Sequence, residues 1–351
     1  MPPLAASVYD AEPIPAEARA EVERLLASGD LFRYTAPADA PVARLEAAFA
    51  AVPSAVVHAG AQPILVEVGD DYRLDMADFA AKLGGQIRAV VISHMRGHTS
   101  DMDAIMALCD ARGVPVIEDA AHSLGTLWDG RKIGTLGRIG CFSFQSYKLV
   151  NGGEGGVLIT DDEDVIARAV IMSGAYEHNW RKHPLATNAF AKYQNSLPLY
   201  NLRMNNLSAA VIAPQFDHIE RRAADGLRNH DFVAARLNAS PHLQVPAPLP
   251  KERRAPDSIQ FNLVGFSEAE ARRLMAESAA RGCPVSVFGL HEDNARAFWN
   301  WRFIGNIPDL PKTRAMLMRA CDMRLPARLT GAELERIAEA VLGAVAAVKG
   351  G

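Results

Sequence analysis

Cysteine is scarce in this chain: Cys109, Cys141, Cys283 and Cys321 are the four among 351 residues, far apart and without a CxxC pair. That spacing excludes a disulfide framework and a cysteine zinc site, and it reads as buried thiols in a reducing compartment. No run of 18 or more apolar residues occurs, which excludes a membrane-spanning helix. A basic surplus is also lacking, since 37 Lys and Arg against 41 Asp and Glu leave a net charge of −4. A phosphate backbone therefore finds no complementary surface, and no nucleic-acid partner is expected. The first residues carry Asp10 and Glu12 rather than a basic-then-apolar run. The expectation is no signal peptide and a cytoplasmic protein. Repeats and low-complexity stretches are absent, and no GxGxxG lies between a strand and a helix, which removes the usual nicotinamide-dinucleotide site.

What remains is the make-up of a folded protein, with 49% hydrophobic and 22% charged residues. At about 150 residues per domain the length predicts two domains with ample core. Pro15 opens a helix carrying Val22, Leu25 and Leu26, with Gly29 just past its end, and a second helix runs from about Pro41 to Ala51. An alternation follows. Residues 64–68, 87–93, 114–118, 139–144 and 156–160 read as buried strands, and 75–83 and 101–112 as helices. Such alternation implies right-handed crossovers and a mostly parallel sheet, whose ligands bind beyond the carboxyl ends of the strands. The loops after His94, Glu118 and Phe144 are therefore the places to look. Residues 173–202 are polar and aromatic without periodicity, and a long helix over about 205–237 is interrupted by Pro214. Strands at 258–264 and 284–288 and helices at 268–281 and 331–348 predict a smaller α+β domain.

Three segments carry chemistry: EDAAHSLG with Asp119 and His122, FSFQSYKLVNGGEGG with Ser143 and Lys148, and LYNLRMNNLSAA with Asn201 and Arg203. A lysine at the mouth of a parallel sheet has its pKa lowered by burial, so its amine can form a Schiff base with a carbonyl. Pyridoxal phosphate (PLP) is the commonest such partner and needs an acid at its pyridinium nitrogen, which Asp119 suits. Ser143, five residues before Lys148, can offer its hydroxyl to the phosphate. Plainer roles exist for each residue alone. A strand-end Asp can cap a turn, a lone His can be a hydrogen-bonded structural residue, and Trp180, Tyr193 and Tyr200 can be packing residues. GGEGG precedes a strand rather than a helix and reads as a tight turn with close backbone approach. His94, His98 and His122 with Asp101 and Asp119 lack metal-site spacing, so no metal is expected.

The segment VIEDAAHSLGTLWDGRKIGTLGRIGCFSFQSYKLVNGGEGGVLITDDEDV resembles the core signature of the DegT/DnrJ/EryC1/StrS aminotransferases. The likeness extends back through HAGAQPILVEV and SHMRGHTSDMDAIMALCDARGVP and forward to LYNLRMNNLSAA, about three quarters of the chain. It implies a fold-type I PLP-transferase architecture, α/β with a mostly parallel sheet flanked by helices and a smaller α+β C-terminal domain. Residues 1–35 would be an N-terminal segment, 36–235 the large PLP-binding domain and 236–351 the small domain. The resemblance makes Lys148 the Schiff-base lysine, Asp119 the partner of the pyridinium nitrogen and His122 the neighbour of the phenolic oxygen. Ser143 would hold the phosphate, and Asn201 would reach the phosphate of a second subunit, so the site would be shared in a homodimer. The implied reaction passes an amino group from glutamate or glutamine to a keto-sugar, either a sugar nucleotide or an octulosonate. NLRMNNLSAAVIAPQF and MRLPARL look nearest the octulosonate branch, and His291, Trp299 and Trp301 lie in a segment where substrate contacts would fall. One departure stands out. Family members carry a strand, a phosphate loop, a helix and a second strand where Ala51 in this chain runs directly into Val52-Pro53. The shortening removes part of the phosphate cradle and the ring-stacking residue and would expose sheet edges. It motivates an alternative, a non-catalytic or weakly active relative that partners a full-length enzyme.

Overall fold

The computed structural model describes residues 16–28, 52–145, 148–175, 178–183, 188–291 and 295–350. The helix expected over 41–51 lies outside them. Side-chain caps fix where the helices of the first half begin. Asp75, Asp101 and Asp162 accept backbone N–H groups at the starts of helices Met76–Lys82, Met102–Asp110 and Glu163–Met172. The strands among the described residues are β1 (Val90–Ser93), β2 (Val116–Asp119), β3 (Leu127–Trp128), β4 (Arg131–Lys132), β5 (Ile139–Ser143), β6 (Gly156–Ile159), β7 (Leu243–Gln244), β8 (Glu252–Arg253), β9 (Ser258–Leu263), β10 (Ser286–Val287) and β11 (Ala320–Arg324). One sheet has the order β1-β2-β5-β6, parallel across its first three strands and antiparallel at β6. Val90, Ile92 and Val116 bury against Met102, Ile105 and Cys109 of the crossover helix.

A second sheet, β10-β11-β9-β7, is antiparallel at every pairing. Ile259, Phe261, Cys321, Met323 and Val287 project from one face into a core shared with helices Ile219–Leu237, Glu268–Ala280 and Gly331–Lys349. The alternate residues Ser258, Gln260, Asp322 and Arg324 occupy the opposite face, because side chains in a strand change sides at every residue. No helix among the described residues is long and apolar enough to cross a membrane.

Three expectations need correction. Residues 64–68 form no strand: Val68 makes a single bridge to Leu74, and its N–H donates to Thr313 Oγ1 at 2.9 Å. Side chains satisfy this backbone in place of a sheet neighbour, while Glu67 caps helix Pro311–Leu317 through the N–H groups of Lys312 and Thr313. β6 is not buried, with Val157 41% and Leu158 39% exposed at an edge that no described strand covers. Tyr200 is no packing residue but half exposed, whereas Trp180 and Tyr193 do pack around Phe190. The long helix breaks where Pro214 predicts, into Asn206–Ile212, a 3-10 turn over Ala213–His218, and Ile219–Leu237.

Candidate active site

Strands β1, β2 and β5 end side by side, with Ser93 in register with Asp119 and Asp119 with Cys141. Asp119 is fixed from two directions. Its Oδ2 accepts from Ser93 Oγ at 2.8 Å and its Oδ1 from Ala121 N at 3.2 Å. Among the described residues no ion pair forms with it, although its negative charge reaches Lys148 and favours the ammonium there. Behind it the buried Glu118 anchors the loop between β4 and β5. The Glu118 carboxylate accepts from the N–H groups of Gly134 at 2.8 Å, Leu136 at 2.7 Å and Gly137 at 2.6 Å. His94 Nε2 lies 3.1 Å from the same carboxylate. Burial pushes the Glu118 pKa up, yet these hydrogen bonds outweigh it and hold the group below the usual carboxylate range.

Ser143 closes β5, and its Oγ accepts from Gln145 N at 3.3 Å. Lys148 N donates to Gln145 O at 2.9 Å, and its side chain returns to place Nζ 2.7 Å from His122 Nε2. Burial above all, then the positive charge of Lys148 and of Arg96, Arg324 and Arg296, pushes the His122 imidazole down to about 2. A neutral ring follows, so Nε2 accepts a hydrogen bond from the Lys148 ammonium. Burial pulls Lys148 itself down to about 8, with Asp257 opposing and Arg96 and Arg324 assisting. His122, Leu124, Lys148, Leu149, Ala255 and Asp257 line the cleft at this point.

The structure thus brings Asp119, His122, Ser143 and Lys148 to one end of the sheet. Asn201 does not join them. It is exposed on a segment tied down by Tyr200 N to Met172 O at 2.7 Å and Leu202 N to Ser173 O at 3.0 Å. His291 is exposed, and Trp299 stacks under the Arg314 guanidinium at 4.3 Å. GGEGG is the tight approach its glycines suggest, since a Cβ on Gly152 would lie 2.6 Å from Ile212. His94, His98 and His122 take separate partners (Glu118, Gln260 and Lys148), and no group of three or more metal-ligating side chains forms among the described residues. Sequence reasoning missed Asp257, Arg96, Arg296 and Arg324. The one available signal was Arg96 in SHMRGH, in the loop after His94 where a parallel sheet binds ligands.

Comparison with known proteins bears on this arrangement. The chain is 34% identical over 181 residues to the putative pyridoxal phosphate-dependent aminotransferase EpsN of Bacillus subtilis, covering 50% of this chain and 44% of that one. It is 29% identical over 167 residues to a GDP-perosamine synthase of Vibrio cholerae, covering 47% and 43%. The match therefore spans less than half the length of these curated relatives. The aminotransferase TlmJ from Streptoalloteichus hindustanus shares the fold at a TM-score of 0.74 and 21% identity, over 86% of this chain and 78% of that one. The fold is that of the fold-type I PLP aminotransferases. Residues 40–342 match the model of one family, and the chain belongs to it: the DegT/DnrJ/EryC1/StrS aminotransferase family.

Proposed function

We propose that the chain is a PLP-dependent aminotransferase that moves an amino group from glutamate or glutamine to a keto-sugar. The observation that carries this reading is the Lys148 amine, lowered to about 8 and hydrogen-bonded at 2.7 Å to a neutral His122, at the sheet end that holds Asp119. These residues fit PLP by the chemistry of the donor set. Lys148 supplies an amine for its aldehyde, Asp119 an oriented carboxylate for its ring nitrogen, and Ser143 a hydroxyl for its phosphate. When bound, PLP supplies a ring that stabilises negative charge at the carbon bearing the transferred nitrogen. Asp119 keeps the ring nitrogen protonated, and Ser93 and Ala121 stop that carboxylate from turning away. Lys148 Nζ, with its pKa lowered to about 8, both releases and takes up a proton, and His122 Nε2 holds it in place between those events.

Asn201 completes the phosphate site of a second copy in this reading, which makes the working unit a homodimer. Its segment supports that role, because Leu199, Tyr200, Leu202, Met204 and Leu207 are all exposed there. Relatives named for GDP-perosamine and for a UDP-linked 3-dehydro-glucosamine support a sugar nucleotide as acceptor, and the segments NLRMNNLSAAVIAPQF and MRLPARL keep an octulosonate as the alternative. The purified chain with PLP should show a visible absorption band that decays when L-glutamate is added without acceptor. A band that glutamate and glutamine both leave unchanged would remove transamination from the proposal. A second reading, a shortened partner of a full-length enzyme, draws on the uncovered β6 edge at Val157 and Leu158. Co-purification with a full-length family member, together with failure of the isolated chain to bind PLP, would favour it.

A further inference from the structure

The chain between β5 and β6, which carries Lys148, is held from outside by the broken helix. Gly152 N donates to Phe144 O at 2.7 Å, and Phe144 N donates to Gly155 O at 2.8 Å. These bonds fix the far end of the loop. Leu149 and Asn151, on either side of the fully buried Val150, take no backbone partner among the described residues.

Two side chains supply what the backbone lacks. Gln215 stands in the 3-10 turn over Ala213–His218, where Pro214 interrupts the helix. Its amide meets Asn151 as a neighbouring strand would: Oε1 accepts from Asn151 N at 3.1 Å, and Nε2 donates to Asn151 O at 2.7 Å. Nε2 also donates to Val211 O at 2.8 Å, and Oε1 also accepts from Arg222 at 2.9 Å. An amide offers two donors and two acceptor sites, so this one is fully used. Its orientation is settled as well, because a guanidinium only donates and must face the oxygen. The same Arg222 nitrogen donates to Leu149 O at 2.7 Å, one residue beyond Lys148.

Arg222 is half-buried, and among the described residues its guanidinium pairs with no carboxylate. Burial pushes its pKa down, and the charge of Arg221 adds to the effect. Drawing a cation out of water toward two neutral oxygens costs more than a neutral donor would, so stability alone does not account for it. Neighbours of Gln215 lock the turn to the same loop. Ile212 lies against Gly152, and the Phe216 ring meets Phe144 edge-on at 5.8 Å between centroids. Lysine carries its amine on a flexible four-carbon stem, so Nζ has a defined place only over a fixed backbone. Here that place is 2.7 Å from His122 Nε2.

We propose that Gln215 and Arg222 are positioning residues for the reacting amine: from the broken helix they fix the loop that carries Lys148, and so the point where its amine meets a carbonyl. This rests on Lys148 being that amine.

The test is competitive labelling of the full chain without PLP, using acetic anhydride across a pH series and peptide mass spectrometry. Exposed Lys132 serves as internal reference. Wild-type Lys148 should titrate near 8. Gln215→Met and Arg222→Met should each raise the midpoint by at least about one pH unit toward the ordinary lysine value of 10.5, because a released side chain regains water. Gln215→Met changes no charge, so its shift reports position rather than electrostatics. Arg222→Lys keeps a donor for Leu149 O and should restore most of the wild-type midpoint, while the exposed control Arg221→Gln leaves it unchanged. If one methionine variant fails to fold, the other decides. Unchanged midpoints in folded variants, whatever their Tm, overturn the positioning role and leave a structural brace. Shifted midpoints in a chain that never takes up PLP overturn the functional reading instead and leave the clamp standing.

Discussion

Lys148 and its neighbours determine when an amine becomes reactive. A lowered lysine pKa means the neutral, nucleophilic form appears at a lower pH, and burial sets that point near 8. Asp257 works against burial, since its negative charge favours the ammonium. Asp257→Asn removes that charge and also releases Arg324 from its ion pair at 2.9 Å. Both changes act in the same direction, so the half-maximal pH for PLP attachment at Lys148 should move below 8. Stopped-flow absorbance across a pH series measures it, and an upward move contradicts this balance of charges around the amine. Asp119, His122, Ser143 and Lys148 were legible in the sequence because all lie within 30 residues, at the ends of strands whose apolar runs are plain. Asp257, Arg296 and Arg324 were not, since only the folding of distant segments brings them near Lys148.

Among the elements, the loop that follows β4 depends on one buried acid. Glu118→Gln replaces a carboxylate oxygen by an NH2 group that faces backbone donors from Gly134, Leu136 and Gly137. Leaving such groups unsatisfied costs about 1–3 kcal/mol each, so the variant should lose several degrees of Tm at neutral pH. The sign of the pH dependence is also fixed. The Glu118 pKa is lowered on folding, so its stabilisation is present above the unfolded value of 4.5 and fades as pH falls through the folded one. The gap in Tm between wild type and Glu118→Gln should therefore narrow in acid, as thermal scans from pH 7 to pH 3 can check. Gly97→Ala belongs to the same scale. A positive φ and a Cβ 2.4 Å from Ala255 O predict a loss of at least about 2 kcal/mol in denaturant unfolding. Element type was readable wherever apolar periodicity and an Asp cap coincided. It failed at 64–68, whose strand-like pattern is satisfied by Thr313 and Asp78 side chains. It also failed at β11, where Asp322 and Arg324 break the apolar run although their alternation places them on the face beside Lys148.

For the whole molecule, the family resemblance implies a shortening between Ala51 and Pro53, and the first sheet ends at β6 with no described strand beyond it. A sheet that ends with Val157 and Leu158 exposed has apolar surface for another chain to cover. The homodimer reading adds the strip around Asn201, where Leu202 is 68% exposed. Leu202→Glu should convert a dimer into monomers in sedimentation velocity and weaken PLP binding at least tenfold, because Asn201 would no longer reach a partner's site. A wild-type chain that sediments as a monomer yet binds PLP tightly would rule out the shared site. The proposed function stands on attachment of the cofactor through Lys148. Borohydride treatment of the PLP-incubated chain, followed by peptide mass spectrometry, measures it most directly. The expected result is a pyridoxyl adduct on the peptide containing Lys148 and none there in Lys148→Ala; an adduct absent from Lys148, or found equally on surface lysines, contradicts it.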